Sequence, residues 1–194
     1  NFCTLDLSSF YFDIRKDSLY CDGLNSKKRK DCIIVLNVIL DCLLKWFAPI
    51  FVFTSEEIFS LINKKNESIH EKSFPLIPQS WKDNDLDNKW KNLYKIKQVA
   101  NIAIEEKRAK KEIGSSLEAQ IEVFVSGAEY DLMENLDLAE YFITSKAIKI
   151  KNKNKDEKTR VIVKKSEGKK CPRCWKILQG KCDRCDEVMQ NTNA

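Results

Sequence analysis

Glycine and proline are scarce in this chain, five and four among 194 residues. That scarcity argues against a turn-rich all-β architecture and in favour of helices. Histidine is scarcer still. His70 stands alone with no second ligand beside it, and it reads as a surface residue, neither catalyst nor metal ligand. Long apolar runs are absent too: the longest, near Ile33 to Phe53, is broken by Asn37, Asp41, Lys45 and Pro49, which excludes a membrane span. No signal-like charged region precedes it.

What is present is core material: 43% apolar residues, four Trp and ten Phe, enough for one main domain and a small appendage. The fold class is mainly α. The net charge of +5 hides an asymmetry, because residues 149–189 carry fourteen Lys or Arg against six Asp or Glu, whereas the whole chain has 34 against 29. A basic tail of this kind attracts polyanions by steering and counterion release, although a solvated lysine-rich surface has the same composition.

Four of the eight cysteines form Cys171-Pro172-Arg173-Cys174 and Cys182-Asp183-Arg184-Cys185. A two-residue spacer lets two thiolates converge on one ion, and the seven-residue connector returns the second pair to complete a tetrahedron. The expected ligands of one structural zinc ion are therefore Cys171, Cys174, Cys182 and Cys185. Four thiolates around a divalent cation leave no vacant position for water and a formal charge of −2. Arg173, Lys176, Lys181 and Arg184 beside them serve either to balance that charge or to contact nucleic acid. Trp175 offers a face for stacking an unpaired base, with burial beneath the knuckle as the alternative. Cys3, Cys21, Cys32 and Cys42 lack ligand spacing and read as core filler. Unpaired thiols beside a thiolate cluster indicate a reducing, cytoplasmic compartment.

The chain begins on Asn1 within a helical repeat of Phe2, Leu5, Ser9, Phe12 and Arg15, as though a helix of a longer chain had been entered partway. A second helix is expected from Lys28–Asp31 to Phe47, with Ile34, Val38, Cys42 and Leu44 buried and Pro49 ending it. Thr54 and Glu57 form the pattern of a capping box behind Phe53, opening a helix to Leu61 or Ile62. An extended connector occupies 63–81. A fourth helix starts at Asp83–Asp87 and runs toward Lys111 through Leu86, Trp90, Leu93, Ile96 or Lys97, Ala100 and Ile104. Trp46 and Trp90 are assigned to the helical core. Beyond Gly114 the period changes to two at Ile121, Val123 and Val125, a strand. A short helix at 129–135, a helix end or strand within 141–150 and a strand at 161–163 complete a small α/β subdomain. Between the last two, 151–158 is too polar to pack and reads as a mobile loop. The expected domains are a helical bundle at 1–113, the α/β subdomain at 114–168 and the zinc knuckle at 169–190.

The segments Asn1-Phe2-Cys3-Thr4-Leu5-Asp6-Leu7 through Asp17, with Leu19-Tyr20-Cys21, resemble the anticodon-binding region of bacterial isoleucyl-tRNA synthetases. Trp46-Phe47-Ala48-Pro49-Ile50 and Phe53-Thr54-Ser55-Glu56-Glu57 are similar to a stretch shared by class I synthetases for aliphatic amino acids. Lys111-Glu112-Ile113-Gly114-Ser115-Ser116-Leu117 resembles the passage into their carboxy-terminal subdomain. The closing Cys171–Trp175 and Cys182–Cys185 motifs resemble the zinc module these enzymes share with certain DNA-repair glycosylases. The resemblance spans about 1–190. It implies an anticodon-binding helical bundle that grips isoleucine tRNA for an ATP- and Mg2+-dependent, monomeric isoleucine-tRNA ligase. The catalytic and editing domains of such an enzyme are not in this sequence, and no HIGH or KMSKS segment occurs, so the chain alone is expected to be inactive. Backbone contacts to the tRNA are then expected from Arg15, Lys16, Lys27, Lys28, Arg29, Lys30, Lys107, Arg108, Lys110 and Lys111. The bases near Lys111 also complement a helix dipole. Two competing readings are a nucleic-acid-binding fragment of a zinc-containing DNA-repair glycosylase and a zinc-stabilised protein-interaction module.

Overall fold

The computed structural model describes residues 1–63, 67–154 and 157–192. Residues 64–66 of the expected connector and 155–156 of the expected loop lie outside those described. Helices dominate, as composition indicated, and a small sheet follows them. The chain forms two compact units, one of Leu24–Asp83 and one of Asn1–Gly23 with Asn84 onward.

In the first of these, α2 (Lys27–Phe47) is capped by the Ser26 hydroxyl, which accepts from the Arg29 amide at 3.4 Å. It stops two residues before Pro49, as that residue dictates. The helix α3 (Val52–Ile62) starts earlier than the expected capping box, with Phe51 at its N-cap, so Thr54 lies inside the helix and caps nothing. Glu56 acts in place of Glu57. Its carboxylate accepts from the Ser68 hydroxyl at 2.8 Å and the Ile69 amide at 2.9 Å, bonds that hold it below the usual carboxylate range. This ties the short turn Ile69–Glu71 to α3 and seats Ile69 against Leu44 and Ala48. His70 is exposed, with Nε2 3.2 Å from the Val52 carbonyl.

The expected burial of α2 holds only in part. Cys32, Cys42 and Leu44 are buried, but Ile34 and Val38 are exposed, and so is Trp46, which had been assigned to the core. Within its unit α2 has one long helical neighbour, α3, which covers a single stripe of an all-round apolar helix.

The other unit opens with Phe2–Phe12, wound as a π-helix, which continues into α1 (Asp13–Cys21). The expected stripe of Phe2, Leu5, Ser9 and Phe12 is exposed. Leu7, Ile14, Ser18 and Cys21 are buried instead, with Phe10 half-buried, because the wider winding resets which side chains share a face. The long α4 (Asn84–Ala109) buries Leu93, Ile96, Ala100 and Ile104, close to the expected repeat. Trp90 is half-buried against Phe10 and Tyr141, with ring centroids 6.2 and 5.9 Å apart. The strand β1 (Ala119–Val125) lies between β2 (Lys146–Lys151), parallel to it, and β3 (Arg160–Lys165), antiparallel. Its inner residues Ala119, Ile121, Val123 and Val125 are fully buried and join the α4 core. A Ser126–Glu129 capping box opens α5 (Gly127–Leu132). Then α6 (Leu138–Tyr141) ends before β2, so the segment 141–150 supplies both a helix end and a strand.

One residue of the α4 repeat does not belong to an apolar stripe. Lys97 is 4% exposed, donates to the Tyr141 carbonyl at 2.5 Å and lies 5.1 Å from the Tyr141 ring centroid. Burial lowers its pKa to about 8, against an opposing pull from Asp13. The unfolded lysine holds its proton to higher pH, so between about 8 and 10.5 the unfolded state binds more protons and stability rises with pH. Replacing Lys97 by Met should abolish this rise and stabilise the fold at pH 7 by about 1–2 kcal/mol, net of the lost carbonyl bond. Urea midpoints of both proteins from pH 7 to 10 check the expectation. A parallel pH dependence in the two would contradict it.

Candidate metal centre and nucleic-acid interface

The chain enters the knuckle through the hairpin β4 (Lys169–Lys170) and β5 (Ile177–Leu178). Gly168 precedes it at φ +130°, where a Cβ would stand 2.2 Å from the Leu178 carbonyl oxygen, so the hairpin closes only over glycine. Between the strands the Trp175 amide donates to the Cys171 carbonyl at 3.0 Å, and the Cys171 amide donates to Lys176 at 2.9 Å. Trp175 itself takes the left-handed conformation at φ 65°. Cys182 precedes α7 (Asp183–Thr192) and Cys185 lies in its first turn.

The four Sγ atoms lie within 4.8 Å of one another. Cys174 and Cys182 are 3.8 Å apart, which matches the ~3.8 Å edge of a tetrahedron with metal–sulfur bonds of ~2.3 Å. Cys171, Cys174 and Cys185 are buried. Burial pushes the Cys182 thiol up to about 12, while at Cys171 burial is overcome by amide donors from Cys174 and Arg173, which bring the sulfur down to about 7. The four cysteines could hold a metal ion, and their soft donors and closed geometry fit the group expected from sequence. Cys21 packs against three of them without being one of the convergent four, and burial pushes its thiol up to about 11.

The knuckle is docked on α1 by charge. Arg184 donates to both oxygens of Asp17, at 2.7 and 2.9 Å, and to Asp22 at 3.1 Å. Lys176 stands 3.5 Å from Asp17. Burial would raise the Asp17 pKa, but Arg184 and Lys176 outweigh it and hold the carboxyl low. Arg173 donates to the carbonyls of Tyr20, at 3.0 Å, and Cys21, and approaches Cys185 Sγ at 3.8 Å. Three of the bases beside the thiolates thus face carboxylates, carbonyls or sulfur of this chain.

Trp175 differs from them. It is 59% exposed, with the Lys170 ammonium 5.8 Å from its ring centroid. It lines a cavity of about 760 Å³ together with Tyr20, Leu117, Ile143, Lys16 and Lys176. The structure thereby brings Lys16, Arg173, Trp175 and Lys176 together. Lys181 is exposed. Arg15 pairs with buried Glu140 at 3.2 Å, and Lys16 with Asp13 at 3.0 Å. At the end of α4, Lys107 pairs with Glu112 and Arg108 with Glu105, while Lys110 and Lys111 are exposed; Arg108 and Lys111 line a separate cavity of about 460 Å³. Lys27, Lys28, Arg29 and Lys30 belong to the 24–83 unit, where Lys27 pairs with Asp31 and Lys30 donates to Asn25. Asp22 has no part in the sequence patterns, Asp17 and Tyr20 enter them only within the resemblance motif, and Lys97 only as an alternative to Ile96 on the α4 repeat. For the acids no signal existed, since Asp17 and Arg184 are 167 positions apart.

A family model for the anticodon-binding domain of tRNA ligases matches residues 1–123, and the chain belongs to that family. Among full-length relatives, the isoleucine-tRNA ligase of Pelagibacter ubique is 54% identical over 186 residues, covering 95% of this chain and 20% of that enzyme. The isoleucine-tRNA ligase of Agrobacterium fabrum is 40% identical over 188 residues, covering 91% and 19%. That of Gluconobacter oxydans is 35% identical over 197 residues, covering 97% and 20%. The chain spans about one fifth of the length of these curated relatives. Among the described residues no helix is long and apolar enough to cross a membrane.

Proposed function

We propose that this chain binds and orients the anticodon arm of isoleucine tRNA for an isoleucine-tRNA ligase whose catalytic and editing domains lie elsewhere in the same polypeptide. The single observation carrying this reading is the family match over 1–123, together with isoleucine-tRNA ligases that are similar over 91–97% of the chain at up to 54% identity. In this reading Cys171, Cys174, Cys182 and Cys185 hold one structural Zn2+, which supplies rigidity and no chemistry. ATP and Mg2+ act at the parent's catalytic domain. The chain contributes to aminoacylation by placement: binding energy at a remote loop positions the distant acceptor end. The cavity beside Trp175, with its apolar walls and flanking Lys16 and Lys176, supports a site for an unpaired anticodon base.

A competition series at fixed salt tests the reading, using isoleucine tRNA with its anticodon intact or altered. Loss of competition by the altered tRNA is expected, because attraction to phosphates alone survives a change of base. Equal competition would favour generic nucleic-acid binding, as in a repair-enzyme fragment, and no tRNA binding at all would favour a protein-interaction module. Trp175→Ala should weaken tRNA binding about fivefold or more while leaving metal content and the melting curve unchanged. Undiminished binding by the folded variant would remove Trp175 from the interface.

A further inference from the structure

The three-stranded sheet buries one face on α4 and leaves the other to solvent. On that outer face the register aligns Lys146, Gln120 and Lys164 in one row across β2, β1 and β3. The last row is Ile150, Phe124 and Arg160. Between them Glu122 sits flanked by two exposed isoleucines, Ile148 and Ile162. The alternation of β1 sets the orientation, since its intervening residues are fully buried. Phe124, on the central strand, carries the Arg160 guanidinium stacked 3.8 Å from its ring centroid. The face's one acid, Glu122, is neutralised by Lys164 at 2.5 Å. Lys146 and Arg160 pair with no carboxylate among the described residues. Above the first row a groove of about 550 Å³ opens between the sheet and the β4–β5 hairpin; Lys165, the exposed Glu167 and the solvent-shielded Ser166 hydroxyl, unpartnered among the described residues, line it as well.

We infer that this open sheet face, an aromatic-guanidinium stack bordered by a basic row and groove, docks an unpaired stretch of RNA. A solvent-facing surface with net positive charge and a guanidinium laid on the half-buried aromatic of its middle strand has the chemistry of a stacking platform: bases stack on the exposed Arg160 plane that Phe124 supports, and phosphates run along Lys146, Lys165 and the groove. Row spacing along a strand is about 6.7 Å, so an extended chain laid along β1 meets the basic row first, then Glu122 between its two isoleucines, then the Phe124–Arg160 row. The excess of cations over acids on the face favours a polyanion over an apolar protein partner. This surface is separate from the Trp175 cavity, and it rests on the tRNA-binding reading only for the identity of the natural RNA.

The test measures binding of the 194-residue chain to a twelve-nucleotide oligouridylate and, in parallel, to isoleucine tRNA, by fluorescence anisotropy over a salt series. Phe124→Leu, which removes the aromatic plane and keeps apolar bulk, should weaken oligouridylate binding about fivefold or more. Lys146→Gln with Lys165→Gln, which changes only exposed side chains, should reduce the salt slope by about 1.4, two phosphates' worth for a single strand. If Phe124→Leu fails to fold, the double variant still decides. Wild-type affinity and slope in the double variant, or no oligouridylate binding by the wild type, overturns the platform. Anticodon-dependent tRNA binding that persists under either result leaves the proposed function standing. Its loss with oligouridylate binding intact does the reverse.

Discussion

Removing the metal, by a chelator or through Cys185→Ser, is expected to unfold residues 169–192 while leaving the α4–sheet core intact. The knuckle has almost no apolar core of its own. Its buried residues are Cys171, Cys174 and Cys185, packed with Cys21, so without an ion the buried interior is thiol and little else. Metal binding by such sites is worth about 10–16 kcal/mol at pH 7, far above what two short strands and a ten-residue helix supply unaided. The core of Leu93, Ile96, Ile121 and Val123 contains none of these cysteines and should keep its protection. Amide exchange before and after chelation reads both parts at once. Retained protection in 169–192 would show that the thiols need no ion, and global unfolding would show that the knuckle and core are one cooperative unit. Anticodon-dependent binding should fall with the knuckle, since Trp175 is held by the turn that the sulfurs close.

Arg184→Ala is expected to release the knuckle from α1 even with metal bound, destabilising the unit by about 2–3 kcal/mol. The guanidinium bridges Asp17 and Asp22, both well shielded, and its loss takes the bidentate cation from Asp17 and leaves Asp22 the Ser18 hydroxyl in place of a charge. Lys176, at 3.5 Å, compensates only in part. Asp17→Asn alone should cost less, because the amide oxygen still accepts from Arg184. The double variant Asp17→Asn with Arg184→Ala should be less destabilised than the sum of the two singles, the coupling expected of residues in direct contact. Additive losses would mean that the pair does not carry the docking. Urea midpoints report the energies, and amide exchange across 169–190 reports the release.

Legibility in the sequence followed the range of the interactions. The repeat of Leu93, Ile96, Ala100 and Ile104 marked α4 because a long helix advertises its buried side every three or four residues. Alternation marked β1 in the same way. The Thr54 cap failed because helix starts are decided by competing neighbours, here Phe51 and the Glu56–Ser68 bond. Burial on α2 failed for a different reason: an all-round apolar helix carries no phase, so the pattern could not say which stripe α3 would cover. In the Phe2–Phe12 segment the pattern was read at the wrong pitch, and the buried set shifted to Leu7 and Ile14.

By itself the sequence determined the helical class, the central strand, the four-cysteine cluster and the family resemblance, all features written in spacings of two to nine residues or in contiguous motifs. Only the tertiary structure decided that Arg173 and Arg184 hold α1, that Cys21 joins the thiol cluster, that Lys97 is buried on Tyr141, and that Phe124 and Arg160 share an open face. The physical reason is separation along the chain. A charge pair 167 positions apart, or a stack across two strands, leaves no periodic trace in either partner's neighbourhood and comes into being only when the backbone brings them within hydrogen-bonding or van der Waals reach.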